Sequence, residues 1–133
     1  MARYLILILV LSLSGCGTHS SKPLVLDTDS GIVDLAEQLP GEWQKVCILP
    51  PYSTNRAAKE LLGFEYNVEW HSSITVSDSI TLLLTVDHGA VAKGFEIGRR
   101  NLDFSSLGSV CYGRSEARFS LPEHGWPHAK HAR

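Results

Sequence analysis

Several groups of residues in the 133-residue chain are of types that do chemistry. His71, Asp87, His88 and a scatter of serines supply the parts of a hydrolase. No Gly-X-Ser-X-Gly elbow accompanies them, however, and exposed histidines are the plainer reading. Arg99 and Arg100 would join Arg114 and Arg118 in an anion-binding patch if their strands pair, with solvated charge as the alternative. His124, His128 and His131 are spaced by four and three, which a helix would gather on one face. Gly125 and Pro127 oppose a helix there, so any metal affinity is expected to be weak and adventitious. The most directed group is the thiol of Cys16, which closes an apolar amino-terminal run.

That run opens Met1-Ala2-Arg3 and continues from Tyr4 to Gly15. One positive charge followed by a short apolar stretch is the pattern of a secretion signal. The stretch is too short to span a bilayer, which takes roughly 20 apolar residues. Leu13-Ser14-Gly15-Cys16 resembles the lipobox of bacterial lipoproteins, in which an aliphatic residue and two small ones precede an obligatory cysteine. The resemblance implies cleavage between Gly15 and Cys16, a diacylglyceryl thioether on Cys16, and acylation of the freed amine. The alternative is an ordinary signal peptide with an incidental cysteine. Each buried methylene contributes about 0.8 kcal/mol, and two or more chains hold a protein stably on a membrane. Gly17 stands where an aspartate would resemble the inner-membrane retention signal, so an outer membrane facing the periplasm is expected.

With 1–15 removed, 118 of the 133 residues remain, enough for one domain. Arg3 leaves with the signal, so the net charge moves from −2 to −3. Nucleic-acid binding, which needs clustered positive charge, is not expected. Once Cys16 is lipidated, Cys47 and Cys111 remain as an even pair, read as one disulfide in an oxidising compartment. Two buried free thiols are the alternative. A metal site is less favoured, because no second thiol or His lies at ligand spacing beside either cysteine. No cofactor is expected.

Residues 16–23 read as a polar tether, 24–121 as a single α+β domain and 122–133 as a flexible tail without periodicity. Asp29 or Ser30 caps a first helix through Leu39, stopped by Pro40-Gly41. Ser53 or Thr54 caps a second, Asn55 to Leu62, with Gly63 as its stop. Val46 to Leu49, Tyr66 to Trp70, Ile74 to Val76, Ile80 to Val86, Val91 to Ile97, Val110 to Tyr112 and Ala117 to Leu121 read as strands. Short connections predict a twisted antiparallel sheet of about five or six strands, with two short helices on one face.

Asp27-Thr28-Asp29-Ser30-Gly31, followed by Asp34, resembles the calcium-holding opening strand of nucleoside hydrolases over about a dozen residues. Ser30 replaces the family's proline and Val33 one of its paired acids, and that family needs a larger domain. A capped helix start is the preferred reading. Gly41-Glu42-Trp43 resembles the Gly-X-Trp of lipocalin-type barrels, but too few residues follow for eight strands. The function expected is a lipid-anchored, non-enzymatic protein that binds or supports an envelope protein partner. The rivals are an inhibitor or phage-exclusion lipoprotein, and a small periplasmic enzyme.

Overall fold

The computed structural model describes residues 21–133. Leu13 to Cys16, and with them the lipidation and cleavage positions Gly15 and Cys16, lie outside the described residues.

Two apolar runs set the architecture. Val46, Cys47, Ile48 and Leu49 in one strand, and Leu82, Leu83 and Leu84 in its neighbour, are all fully buried. A strand buried at consecutive positions must be covered on both faces. Those strands are Lys45–Leu49 (β3) and Ile80–Asp87 (β4). Lys22–Leu24 (β1), Ala90–Gly98 (β5) and Val110–Gly113 (β6) flank them, giving a five-stranded sheet in the order β1-β5-β4-β3-β6. A smaller sheet joins Ile32–Asp34 (β2), Arg118–Ser120 (β7) and Lys130–His131 (β8) in the order β2-β7-β8. The helices are Leu35–Gln38 (α1), Asn55–Leu62 (α2) and Val68–His71 (α3).

Each face of the large sheet has its own core. Val46, Ile48, Leu83, Phe95 and Ile97 pack with Val33, Leu35 and Phe119 from the small sheet and α1. On the opposite face Cys47, Leu49, Leu82 and Leu84 pack with Ala58, Leu62 and Val68 from α2 and α3. The α2 boundaries follow from its caps. The Thr54 side chain accepts from the Ala57 amide, and Gly63 at φ 80° donates to the Lys59 carbonyl. The β4–β5 hairpin turns through His88 and Gly89, whose φ values of 49° and 76° are those of a tight primed turn.

The disulfide joins Cys47 and Cys111, which are register partners on β3 and β6. Their Cα atoms are 4.0 Å apart, the close spacing of facing residues that do not exchange backbone hydrogen bonds. The bridge fastens an edge strand to the sheet interior and lies in the core beneath α2.

The mixed α and β content is as expected, but several details are corrected. The large sheet is not wholly antiparallel, because β1 runs parallel to β5, pairing Lys22 with Phe95 and Leu24 with Ile97. Consequently Lys22 and Pro23 belong to a strand rather than to the tether, and Ser21 is already buried. Helices cover both faces rather than one. The first helix shrinks to α1 because Ile32–Asp34 pairs with β7, and Asp34 rather than Asp29 or Ser30 is its cap. Sheet pairing there overrides local helical spacing. Tyr66 to Trp70 is not a strand. Asn67 accepts from the Trp70 amide and starts α3, leaving Val68 buried and Trp70 outside. Ile74 to Val76 is a turn closed by the Val76 amide on the Ser73 carbonyl. Finally, 122–133 is not a free tail. Its β8 extends the small sheet, Ala129 is buried, and the Ala129 amide donates to the Asp103 carbonyl.

Candidate functional site

The place where the described chain begins is built from β1, β5 and α3. Ser21 donates its amide to the His71 carbonyl at 2.6 Å, and its enclosed hydroxyl has no partner among the described residues. Space for it exists because position 94 on β5 is glycine: a Cβ there would strike the Ser21 hydroxyl and crowd the Leu84 side chain. His71, at the end of α3, stacks on Tyr66 with ring centres 5.0 Å apart and planes 16° from parallel. Burial pushes the Tyr66 phenol up from its ordinary pKa, keeping it neutral.

A small polar lattice holds α3 rigidly against α2. Asn67 caps α3 through Trp70, and the Asn55 amide reaches Asn67 at 3.2 Å. The Asn55 oxygen in turn accepts from the Glu69 amide at 3.1 Å. With α3 so fixed, Trp70 is 76% exposed. Two further loops, the one after α3 and the one before α2, are laced together: the Tyr52 amide donates to the Ile74 carbonyl, and the Thr75 hydroxyl to the Ser53 carbonyl. Tyr52 and Val76 on those loops are also exposed. The arrangement is a fixed chain exit beside outward-facing apolar side chains.

Of the residues that suggested catalysis, Asp87 and His88 meet at the hairpin tip, 2.7 Å apart and with His88 largely exposed, while His71 is engaged with Tyr66. Three of the four arginines have separate partners rather than a shared patch. Arg99 pairs with Asp103, Arg114 lies 4.6 Å over the Trp43 ring, and Arg118 faces Asp34 across β7 and β2. Arg114 also donates to the Ala36 carbonyl of α1 at 3.1 Å and to the Gly41 and Trp43 carbonyls, so it clamps α1 and the segment after it. His131 rests on Tyr112 and Phe119 and meets the Glu116 carbonyl at 2.7 Å. His128 stands 3.8 Å from Asp103 instead. Burial raises the Tyr112 phenol above its ordinary pKa.

The Asp27-to-Asp34 stretch lines an open cleft of about 770 Å³ with Glu37, Gln38 and Arg118. Its acids serve the local fold. Asp27 accepts from the Asp29 amide, Asp34 caps α1, and Gln38 bonds the Asp27 backbone in both directions. Among the described residues no group of three or more His, Cys, Asp or Glu is placed to hold a metal ion.

One chemically distinctive residue escaped the sequence reading. Asp103 is fully buried. Burial alone would raise its pKa, but hydrogen bonds from Arg99, Ser105 and Trp126 outweigh that cost and hold the carboxyl well below its ordinary range. The Arg99-to-Asp103 spacing of four was the available signal. Its partner Trp126, 23 positions away, was not foreseeable. The cluster closes the carboxy-terminal segment onto the core, a structural task. A shallow groove of about 540 Å³ beside it is lined by Leu107, Leu121, Pro122 and His131, among others.

No helix among the described residues is long and apolar enough to cross a membrane. Comparison with protein families, curated proteins and solved structures finds none that matches this chain.

Proposed function

We propose that the chain is an envelope lipoprotein. Cys16 carries the lipid, and the domain beginning at Ser21 is held at the outer membrane, facing the periplasm, in a non-enzymatic role of binding or supporting an envelope protein. The observation that carries this reading is the junction of anchor and fold. Leu13-Ser14-Gly15-Cys16 has the order that lipidation chemistry requires, and five positions on from Cys16 the chain is buried and hydrogen-bonded at Ser21. The cores among the described residues are formed from Leu24 onward, which leaves Cys16 available to an anchor. The Cys47–Cys111 bridge supports the same compartment, since disulfides persist where the surroundings are oxidising. His71 stacks on Tyr66, His88 meets only its exposed neighbour Asp87, and Arg99, Arg114 and Arg118 have separate partners, which favours binding or support over catalysis.

The test is metabolic labelling with a fatty-acid probe in a bacterium. The wild-type chain should be labelled and processed, while Cys16→Ser should accumulate as an unlabelled precursor. Labelling that survives Cys16→Ser refutes the anchor. Co-purification of mature protein from intact envelopes identifies the partner.

A further inference from the structure

We infer that α3, with the laced loops beside it, is the bilayer-facing side of the anchored domain, and that the Trp70 indole sits among the phospholipid headgroups. This rests on Cys16 bearing the lipid. Two independent observations converge on it. The first is reach. From Cys16 to Ser21 the chain takes five steps, about 17 Å when fully extended. Ser21 is fixed to the carbonyl of His71, the residue after Trp70. The tether therefore keeps Trp70 close to the membrane surface however the domain swivels.

The second observation is exposure on a rigid support. A lone exposed apolar side chain is ordinary. Here Trp70 is 76%, Val76 81% and Tyr52 58% exposed; Trp70 lies on α3, Val76 on the loop that follows it, and Tyr52 on the earlier loop laced to that one. The Asn55–Asn67 lattice holds α3 in place, so its position does not depend on the membrane. Tryptophan and tyrosine are favoured at membrane–water interfaces because an apolar ring and a polar N–H or O–H meet both media. Charge does not supply the attraction, since the chain is net acidic. The contact should accordingly be apolar and insensitive to salt.

The test uses full-length protein expressed in a bacterium and purified from its membranes. Intact mass reads acylation of Cys16. The protein is placed in vesicles of phosphatidylethanolamine and phosphatidylglycerol containing a brominated phospholipid, a short-range quencher of indole emission. Of the three tryptophans, Trp43 is buried and Trp126 belongs to the Asp103 cluster. Emission should be quenched in wild type and in Trp126→Phe, and the quenchable component should vanish in Trp70→Phe at any salt concentration. Acylated protein that is not quenched, or is quenched equally in Trp70→Phe, overturns the membrane-facing side while the lipoprotein reading stands. An intact mass without acyl groups overturns the lipoprotein reading and this inference with it.

Discussion

The indole N–H of Trp126 donates to the carboxylate of Asp103 at 2.7 Å, fastening the carboxy-terminal segment to a buried charge. The same carboxylate receives Nε and Nη2 of Arg99, each at 3.1 Å. Asp103→Ala strands both donors and should cost about 2–4 kcal/mol, the range for losing charge-assisted bonds at a buried group. Urea unfolding measures it. A midpoint unchanged from wild type would show that the segment is held by Ala129 and β8 alone.

Acid should act on this same residue. The folded-state pKa of Asp103 lies below its unfolded value, so its contribution is fully present above the unfolded pKa of about 3.9 and is lost as pH falls from there. Stability should therefore decline below about pH 4 more steeply in wild type than in Asp103→Asn. Parallel urea titrations between pH 3 and pH 6 (on the order of the carboxylate range) compare the slopes. Equal slopes would assign the acid sensitivity to other carboxylates.

The Cys47–Cys111 bridge closes a loop with a sequence separation of 64. A loop of that length contributes about 4 kcal/mol in the chain-entropy account. The Cys47→Ala, Cys111→Ala pair should lower the unfolding midpoint accordingly. In unfolded Cys16→Ser protein, thiol titration should find no free thiol before reduction and two afterwards. Two thiols without reductant would refute the bridge.

Gly94 makes a sharper local prediction. A methyl at this position meets the Ser21 hydroxyl and Leu84, whereas a Cβ at Gly113 meets nothing nearby. Gly94→Ala should cost about 1–3 kcal/mol from overpacking, and Gly113→Ala close to nothing. Hydrogen exchange at Lys22 and Leu24 should accelerate in the first variant only. Unchanged exchange there would mean that β1 accommodates the methyl without leaving β5.

Legibility in the sequence followed the range of the interactions. Helix α2 was readable to the residue because Thr54 and Gly63 carry its ends within the helix's own neighbourhood. Strands β3 to β6 were readable from consecutive apolar positions such as Leu82, Leu83 and Leu84, and the bridge from the parity of the cysteines. Helix α3 was misread because Tyr66, Val68 and Trp70 alternate like a strand, while the Asn67 cap that decides the matter leaves no periodic trace. The parallel seat of β1 depends on Gly94, some seventy positions away, and the packing of 122–133 depends on Asp103. Such partners have no local signature. The proposed role of Cys16 draws on its sequence neighbours. Of the candidate site, the exposure of Trp70 was not legible, since a strand reading turns that side chain toward the core.

The position of the covalent bridge also decides how the domain would bear load. Tension arriving through an anchor at Cys16 enters at Ser21, where β1 is three residues long and sits on an edge. That strand is the first to peel. Lengthening can then run through the small sheet only as far as Cys47, where the bond to Cys111 carries the pull directly across to β6. Everything between the two cysteines, including α2, α3 and the β4–β5 hairpin, is bypassed by the force. A chain pulled between such an anchor and its carboxy terminus would therefore lengthen only before Cys47 and after Cys111, with the core between them unstretched.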